Sequence, residues 1–341
     1  MATAKSVAQL ITRRPSLWKV AGQRKLFCGV NAVRMSSSAA ASTVTDEEDD
    51  AVAVANAKYQ IVEKVGNFDA VQTSRPAFDH VKPIEVTQSP WPKWEYGQGV
   101  PDSGVSASKT HREIDPYDPN RPTVNNYRLL VSGVAPRPIG FLSTVSVLGT
   151  KNLAPFSYFQ VIDHDPPMFI AGFSSRPGAA KDTFRNLKET GEVVINTVSE
   201  NMIEAVNATS IDAPFGVSEW EISGLHEAPT TTVTPSRVRE SVFSIEGKVV
   251  EIKEFEDHIQ PGMSIASLVL IKATRFWVQD DAVNADGSHI DLDKLRPLGQ
   301  LGGISYGRVS STFEQPRRRW GDEHPKSQIL TQLEKSKPLV K

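Results

Sequence analysis

Side chains that could hold an anion gather at one predicted junction between a strand and a helix. The stretch Gly172-Phe173-Ser174-Ser175-Arg176-Pro177-Gly178 follows an apolar run and precedes a helical pattern, with Lys181 and Thr183 in the first turn. A helix N-terminus offers free N–H groups and a favourable dipole to an anion, and an arginine adds a bidentate fork. The junction therefore suits a phosphate group, although serines beside a helix start commonly serve only as caps.

A predicted β-hairpin contains a second group of polar residues. Residues 139–147 have the composition of a strand, 148–151 that of a turn, and 152–162 that of a second strand broken at Ala154-Pro155. Since successive side chains of a strand point to opposite faces, one of Ser143 and Thr144 should face the interior and the other a groove. The break would free backbone groups for a ligand, whereas the alternative is a set of ordinary strand residues. The hairpin residues considered as ligand contacts are Ser143, Thr144, Asn152, Ala154, Pro155 and Ser157.

The elements that must position these residues are mainly strands. Further strands are predicted at 168–173, 192–198, 241–253 and 264–278, and helices at 179–190 and 200–208. Gly191 is the predicted end of the first of these helices. Mostly antiparallel strands with few helices are typical of a barrel or a sandwich.

Several classes of site are excluded or disfavoured by the motifs. No G-x-G-x-x-G follows a predicted strand, no phosphate-binding P-loop motif is present, and the seven histidines are scattered without metal-ligand spacing. Residues 303–307 match G-x-S-x-G but lack the strand before and the helix after that a nucleophile elbow needs. The single cysteine, Cys28, excludes a disulfide framework. No metal site is predicted, and no catalytic side chain can be assigned.

Charge is distributed unevenly along the 341 residues, whose net charge is −2. Residues 1–42 are basic, acid-free and rich in serine and alanine, which is typical of a mitochondrial transit peptide and predicts a matrix location. A disordered basic tail on a cytoplasmic protein is the alternative. The rest of the chain is net acidic, so nucleic-acid binding through charge is not expected, and no apolar run is long enough to predict a membrane span.

Composition divides the chain into four parts. After the transit-like segment, 43–120 contain an acidic cluster at 46–50, a possible helix at 51–65, and an extended arm rich in proline and tryptophan. Residues 121–313 have the dense hydrophobic pattern of a folded domain, and 314–341 form a polar, charged tail. The tryptophans of the arm are interpreted as packing anchors rather than ligand-stacking residues.

Motifs in the domain resemble the flavin reductase-like family, the FMN-binding split barrels found in flavoredoxins, ferric reductases and reductase components of monooxygenases. The matching stretches are Pro136-Arg137-Pro138-Ile139-Gly140-Phe141-Leu142-Ser143-Thr144, Asn152-Leu153-Ala154-Pro155-Phe156-Ser157-Tyr158-Phe159, Asp165-Pro166-Pro167, Lys181-Asp182-Thr183-x-x-Asn186 and Glu192-Val193-Val194-Ile195-Asn196. A closing element resembling R-L-G-G-x-x-Y lies at 300–306, with Gln300 in place of the arginine. The resemblance covers about 121–313, and the arm suggests a eukaryotic branch with an N-terminal extension.

The resemblance implies a mainly β fold, a six-stranded antiparallel Greek-key split β-barrel with a few short helices, which forms a homodimer with one FMN per subunit near the interface. It implies that Ser143, Thr144 and Asn152 line the ribityl chain or phosphate. Ala154, Pro155 and Ser157 would meet the isoalloxazine edge. The residues that would hold the phosphate are Ser174, Ser175, Arg176 and Lys181.

The function implied is that of an FMN-binding oxidoreductase that passes electrons from NAD(P)H to a flavin, ferric iron or a small organic acceptor. Because the flavin itself does the redox chemistry, no acid–base constellation is required. The histidine that some relatives place beside the nicotinamide has no clear counterpart here, so flavin binding is the firmer expectation. A flavin-dependent oxygenase and a non-catalytic electron-transfer module remain the alternatives.

Overall fold

The computed structural model describes residues 68–175, 180–256 and 264–336. The predicted transit peptide, the acidic cluster, the possible helix at 51–65 and Arg176 lie outside the described residues. The helices are α1 (Phe68–Thr73), α2 (Thr123–Gly133), α3 (Asp182–Thr190), α4 (Ile203–Ala208), α5 (Glu219–Ser223), α6 (Leu292–Leu295), α7 (Trp320–Glu323) and α8 (Gln328–Lys335), with short 3₁₀ helices at Glu200–Met202 and His324–Lys326.

The described strands build one large antiparallel sheet and three small ones. The strands are β1 (Glu85–Thr87), β2 (Arg137–Pro138), β3 (Gly140–Val145), β4 (Lys151–Phe156), β5 (Phe159–His164), β6 (Pro167–Ser174), β7 (Glu192–Asn196), β8 (Glu227–Ala228), β9 (Arg237–Val238), β10 (Phe243–Glu256), β11 (Ser264–Val278), β12 (Leu298–Gln300), β13 (Tyr306–Arg308) and β14 (Ser311–Phe313). The large sheet has the order β4-β3-β7-β10-β11-β6-β5. The expected mainly β architecture with short helices is confirmed, but the sheet has seven strands rather than six and its two edge strands do not pair with each other.

The seventh strand arises because the predicted strand 152–162 is divided into two strands, β4 and β5. The prediction of a break at Ala154-Pro155 is wrong, because the β3–β4 ladder continues through both residues, with Pro155 opposite Phe141. Proline is accepted there since β4 is an edge strand of the sheet, where a missing N–H does not interrupt a ladder on its outer side. The chain turns instead at Ser157 and Tyr158, which separate β4 from β5.

Two hydrophobic cores lie on opposite faces of β3. Leu142 belongs to the first core, and its neighbour Phe141 belongs to the second, as the two-residue period of a strand requires. The first core packs against α3 through Phe184 and Leu187. The second is covered by α4 and α5, which contribute Val206 and Trp220 among others. Each face of β3 is therefore buried, and no side of this strand opens to solvent along its middle.

The predicted helix 179–190 is confirmed at its C-terminal end, but it begins only at Asp182, since Lys181 has extended backbone. Helix α3 ends where expected, at Gly191, whose φ of 69° is the left-handed conformation that glycine adopts without strain. Helix α2 was not predicted, because its residues form only a weakly amphipathic pattern. The predicted strand at 264–278 coincides with β11.

The described part of the arm has little regular structure and is anchored by a few contacts. Strand β1 pairs in parallel with β14, so the arm joins the C-terminal segment. Trp94 donates from Nε1 to the Gly99 carbonyl at 2.8 Å, and the Arg318 guanidinium lies over its ring at 5.2 Å from the centroid. Trp94 thus acts as a packing residue, whereas Trp91 keeps 57% of its surface exposed.

Candidate flavin site

A buried polar network connects the hairpin to helix α3. The Thr144 hydroxyl oxygen accepts hydrogen bonds from the side-chain amides of Asn152 at 3.2 Å and Asn186 at 3.0 Å. Asn152 also donates to the Thr183 hydroxyl at 2.8 Å. All four side chains are buried. The predicted residues Thr144 and Asn152 therefore meet, in the interior, and they fix the first turns of α3 against the strands.

The partners of this network on α3 were predicted only in part. Thr183 was expected in the first turn beside the phosphate, whereas Asn186 was matched as part of a family motif without an assigned role. Thr183 and Asn186 are three residues apart, which puts them on the same face of a helix. Both are short polar residues flanking the apolar Phe184 and Leu187 of the core. A polar pair at this spacing on a core-facing helix was the feature that could have identified Asn186, since buried polar groups require partners.

The described members of the predicted phosphate set lie on either side of the junction before α3. Ser174 ends β6 and is exposed. Lys181 occupies the N-cap position with extended backbone and makes no side-chain cap hydrogen bond. The Ser175 hydroxyl is buried and has no hydrogen-bond partner among the described residues. The junction thus offers a cation and two hydroxyls at the start of a nine-residue helix, where the dipole favours an anion.

A buried acceptor lies one helical turn further along α3. The Asn186 side-chain oxygen is buried and accepts no hydrogen bond in the described part of the chain, while its amide nitrogen is used by Thr144. Burial raises the pKa of Asp182 at the helix start, and the positive charges of Arg185 and Lys181 partly oppose that rise.

Ser143 lies on the other face of β3, with the second core. The expected divergence of Ser143 and Thr144 to opposite faces is seen, but both are buried and neither borders an open groove. The Ser143 hydroxyl and the Trp220 indole nitrogen are buried without a hydrogen-bond partner among the residues described. Glu219 accepts a hydrogen bond from the Leu153 N–H at 3.1 Å. Burial raises the pKa of this carboxyl, and that hydrogen bond only partly offsets the rise.

Ser157 is held by an arginine that the predicted set did not include. The guanidinium of Arg137 is buried and donates from Nε to the Ser157 hydroxyl at 3.2 Å. Its other nitrogens donate to the carbonyls of Val134 at 2.9 Å and Leu301 at 2.8 Å. Arg137 thereby ties the β4–β5 turn to the end of α2 and to the segment after β12. The half-buried Ala154 and Pro155 precede this turn at the edge of the sheet.

Gln300 stands where the family's closing motif has an arginine, and it places a neutral side chain beside Tyr306. Gln300 and Tyr306 are opposite each other in the β12–β13 ladder. Burial raises the pKa of the Tyr306 phenol, and a hydrogen bond with Gln300 opposes that rise weakly. The phenol therefore stays protonated at neutral pH and can donate a hydrogen bond.

The described ranges contain neither a cluster of metal-ligating side chains nor a helix that could span a membrane. No group of three or more histidine, cysteine, aspartate or glutamate side chains is arranged to hold a metal ion there. Within the same ranges, no helix has both the length and the apolarity needed to cross a bilayer.

Comparisons with known proteins agree with this fold. The pattern of the flavin reductase like domain matches residues 132–291. A protein of Halalkalibacterium halodurans with no assigned activity is 38% identical over 193 residues, which are 56% of this chain and 90% of that protein. A second such relative, from Aquifex aeolicus, is 34% identical over 53% of this chain and 88% of its own length.

Solved structures give the same result. Nitrilotriacetate monooxygenase component B from Bacillus cereus is 27% identical, with a TM-score of 0.57 over 61% of this chain and all of that one. The 2-nitrobenzoate 2-nitroreductase of Pseudomonas fluorescens is 25% identical, with a TM-score of 0.54 over 62% of this chain and 98% of that one. The chain belongs to the flavin reductase-like domain family, and its fold is the split barrel of flavin-related oxidoreductases.

Proposed function

We propose that the protein is an FMN-binding oxidoreductase. The observation that carries this proposal is the junction between β6 and α3, where Ser174 ends the strand, the Ser175 hydroxyl has no hydrogen-bond partner among the described residues, and Lys181 occupies the N-cap position of the helix. These groups fit a phosphate, which accepts hydrogen bonds only. The buried Asn186 oxygen fits a hydroxyl donor of the kind found on a ribityl chain. A cofactor with both features matches the donors and acceptors left unused among the described residues.

The roles of the other predicted residues follow from their surroundings. Thr144 and Asn152 position α3 by their hydrogen bonds. They would therefore support binding of the ribityl chain and phosphate indirectly, by holding the helix in place. Arg137 orients the Ser157 hydroxyl, which together with Ala154 and Pro155 would border the isoalloxazine edge. Ser143 would act through the β3 backbone, since its side chain lies among the second core. Arg176 completes the proposed phosphate set.

FMN, when bound, supplies hydride and one-electron transfer chemistry. The chain then has to orient the cofactor, exclude water, and admit first the electron donor and then the electron acceptor. We assign NAD(P)H as the electron donor and a flavin, ferric iron or a small organic molecule as the acceptor. Steady turnover of NADH or NADPH would support this assignment over a non-catalytic electron-transfer module. Oxygen incorporation into an organic product would favour an oxygenase.

Substitution of Lys181 tests the proposed phosphate site. Lys181→Gln removes one charge from an exposed side chain and leaves the backbone of the N-cap unchanged. We expect FMN affinity to fall about tenfold, because a charge-assisted hydrogen bond is lost. Lys109→Gln, on an exposed part of the arm, is the matched control and should bind FMN as the wild type does. Equal FMN affinity of the Lys181→Gln variant and the control would refute the site.

Homodimer formation is part of the same proposal. Helix α2 exposes Tyr127 and Leu130, which are 54% and 59% accessible, and Val134, just after its C-terminal end, is 62% accessible. Tyr127 and Leu130 are three residues apart and so lie on one face of the helix. An exposed apolar stripe of this kind is typical of a protein–protein contact, and a second copy of the chain is the partner we assign to it.

A mitochondrial matrix location is proposed from the basic, acid-free segment 1–42. Fusion of these residues to a fluorescent reporter should direct it to mitochondria, and the chain without them should stay in the cytoplasm. Cytoplasmic fluorescence of the fusion would support the alternative of a basic tail.

A further inference from the structure

A cavity lies between the arm and the C-terminal strands. Its volume is about 370 Å³, within the range of small-molecule pockets. Helix α1 and the residues after it form one wall, with Phe68 and Phe78, and the segment around β13 forms another, with Ile304 and Tyr306. No described member of the predicted flavin-binding set lines this cavity. The cavity is thus a separate place where a ligand could bind.

The walls leave apolar surface uncovered. Phe68, Phe78 and Ile304 are 40%, 52% and 49% exposed, although all three border the same concavity. Phe78 is held in place by Arg308, whose guanidinium lies 4.4 Å from the centre of its ring. Arg308 is itself fixed by a 2.6 Å hydrogen bond to the Asp79 carbonyl. A preformed apolar wall with accessible aromatic side chains favours a flat apolar group as its occupant.

Among the described residues, the charged side chains that line the cavity leave one cation without a partner. Glu200 is paired with both Arg296 and Arg308, the latter at 3.5 Å, and its side chain is only 8% exposed. The guanidinium of Arg75, which also lines the cavity, makes no hydrogen bond or ion pair with any residue that the structure describes. An arginine presents a planar fork that matches a carboxylate. The cavity therefore combines apolar walls with a single unused carboxylate-binding group.

We propose that this cavity is a binding site for a small aromatic monocarboxylate. The carboxylate is held by the Arg75 guanidinium, and the ring packs against Phe68, Phe78 and Ile304. One carboxylate is specified because only one lining arginine lacks a partner in the described ranges. Such a ligand would contact both walls of the cavity and so join the arm to the barrel.

Calorimetric titration of the full-length chain with benzoate tests the proposal. We expect saturable one-site binding, and about tenfold weaker binding of the neutral isostere benzamide, because the charge-assisted hydrogen bonds are lost. Arg75→Gln should weaken benzoate binding by a similar factor while leaving FMN content unchanged. Arg112→Gln, another exposed arginine of the arm, is the control and should bind benzoate as the wild type does.

Three results would overturn the proposal. The first is the absence of saturable benzoate binding up to about 10 mM, a concentration at which even a weak specific complex would form. The second is equal benzoate affinity of the Arg75→Gln variant and the wild type. The third is competition between benzoate and FMN, which would move the benzoate site to the flavin site. Failure of FMN binding alone would refute the proposed function without affecting this inference.

Discussion

At the scale of single residues, the most buried charge in the described structure is engaged by several donors. Glu246 is fully buried on β10. Its carboxylate accepts hydrogen bonds from the N–H groups of Thr231 at 2.8 Å and Thr232 at 2.6 Å, and from the Trp277 indole at 2.6 Å. Burial raises the pKa of this carboxyl, but these bonds outweigh it and hold the pKa below its ordinary value of 4.5. Glu246 therefore fastens the loop after β8 to the sheet as an anion.

Glu246→Gln should destabilise the protein, because the new amide group meets donors that the carboxylate had satisfied. We expect a loss of about 1–3 kcal/mol in the free energy of unfolding, and about 2–4 °C in Tm for each kcal/mol. Glu251→Gln, at an exposed position of the same strand, is the matched control. Thermal unfolding followed by circular dichroism measures both variants, and equal Tm values would contradict this account of Glu246.

The stability that Glu246 contributes should also depend on pH. Its pKa is lower in the folded chain than in the unfolded chain, so the contribution is complete above 4.5 and is lost as pH falls through the lower folded value. The difference in stability between wild type and Glu246→Gln should therefore be largest near neutral pH and shrink in acid. Denaturant unfolding at a series of pH values measures this, and a pH-independent difference would contradict the assignment.

Thr144 offers a second test at this scale. Thr144→Val keeps the shape but removes the acceptor of the Asn152 and Asn186 amides, leaving two buried donors unpaired. We expect a loss of about 1–3 kcal/mol in unfolding free energy and a lower FMN content. Thr144→Ser, which retains the hydroxyl, should restore much of both. A Thr144→Val variant with wild-type stability would show that the network does not position α3.

At the scale of elements, the approach of β3 to β5 depends on a glycine. A Cβ at Gly140 would lie 2.6 Å from the Phe159 ring, which stacks in turn on Phe169 at 5.9 Å. The ring is partly buried and packs against the first core. The start of β3 can therefore lie close to β5 only because residue 140 lacks a side chain.

Gly140→Ala should consequently destabilise the fold by about 1–3 kcal/mol, the usual cost of overpacking. Gly133→Ala is the matched control, because a Cβ there would meet no atom within 4 Å. Urea unfolding of the two variants measures the difference. A Gly140→Ala variant as stable as Gly133→Ala would mean that Phe159 relaxes without cost.

The elements also show where sequence patterns succeed. The long strand 264–278 and the end of α3 at Gly191 were predictable because strand composition and a left-handed glycine are local properties. The break in the hairpin was not, because proline on an edge strand is tolerated for a reason that depends on the strand order. Strand order is a property of the whole sheet, and local composition does not determine it.

At the scale of the whole molecule, the family and the split-barrel fold could be inferred from the spacing of several short motifs. The pairing of Thr144 and Asn152 across the hairpin follows from its register. Their contacts with Thr183 and Asn186, and the hold of Arg137 on Ser157, come from packing between distant segments. Burial of Ser143 beneath α4 and α5 likewise depends on tertiary structure. The flavin contacts are still predictions, but the structure now shows which neighbours hold each predicted residue in place.

The proposed dimer gives a prediction for the assembled protein. Leu130→Glu places a charge in the exposed stripe of α2, where it faces solvent in a monomer but would be buried in a dimer. Light scattering after gel filtration should give a dimer for the wild type and a monomer for Leu130→Glu. A monomeric wild type would contradict the dimer, and Glu189→Gln, on an exposed part of α3, should leave the oligomeric state unchanged.

The central claim is that this chain binds FMN and passes electrons through it. The most direct measurement is the visible absorbance spectrum of the purified protein after incubation with FMN and gel filtration, followed by anaerobic addition of NADH and then NADPH. We predict that the yellow absorbance of oxidised flavin elutes with the protein and is bleached by at least one of the two donors. A protein that elutes colourless after incubation with FMN would contradict the account.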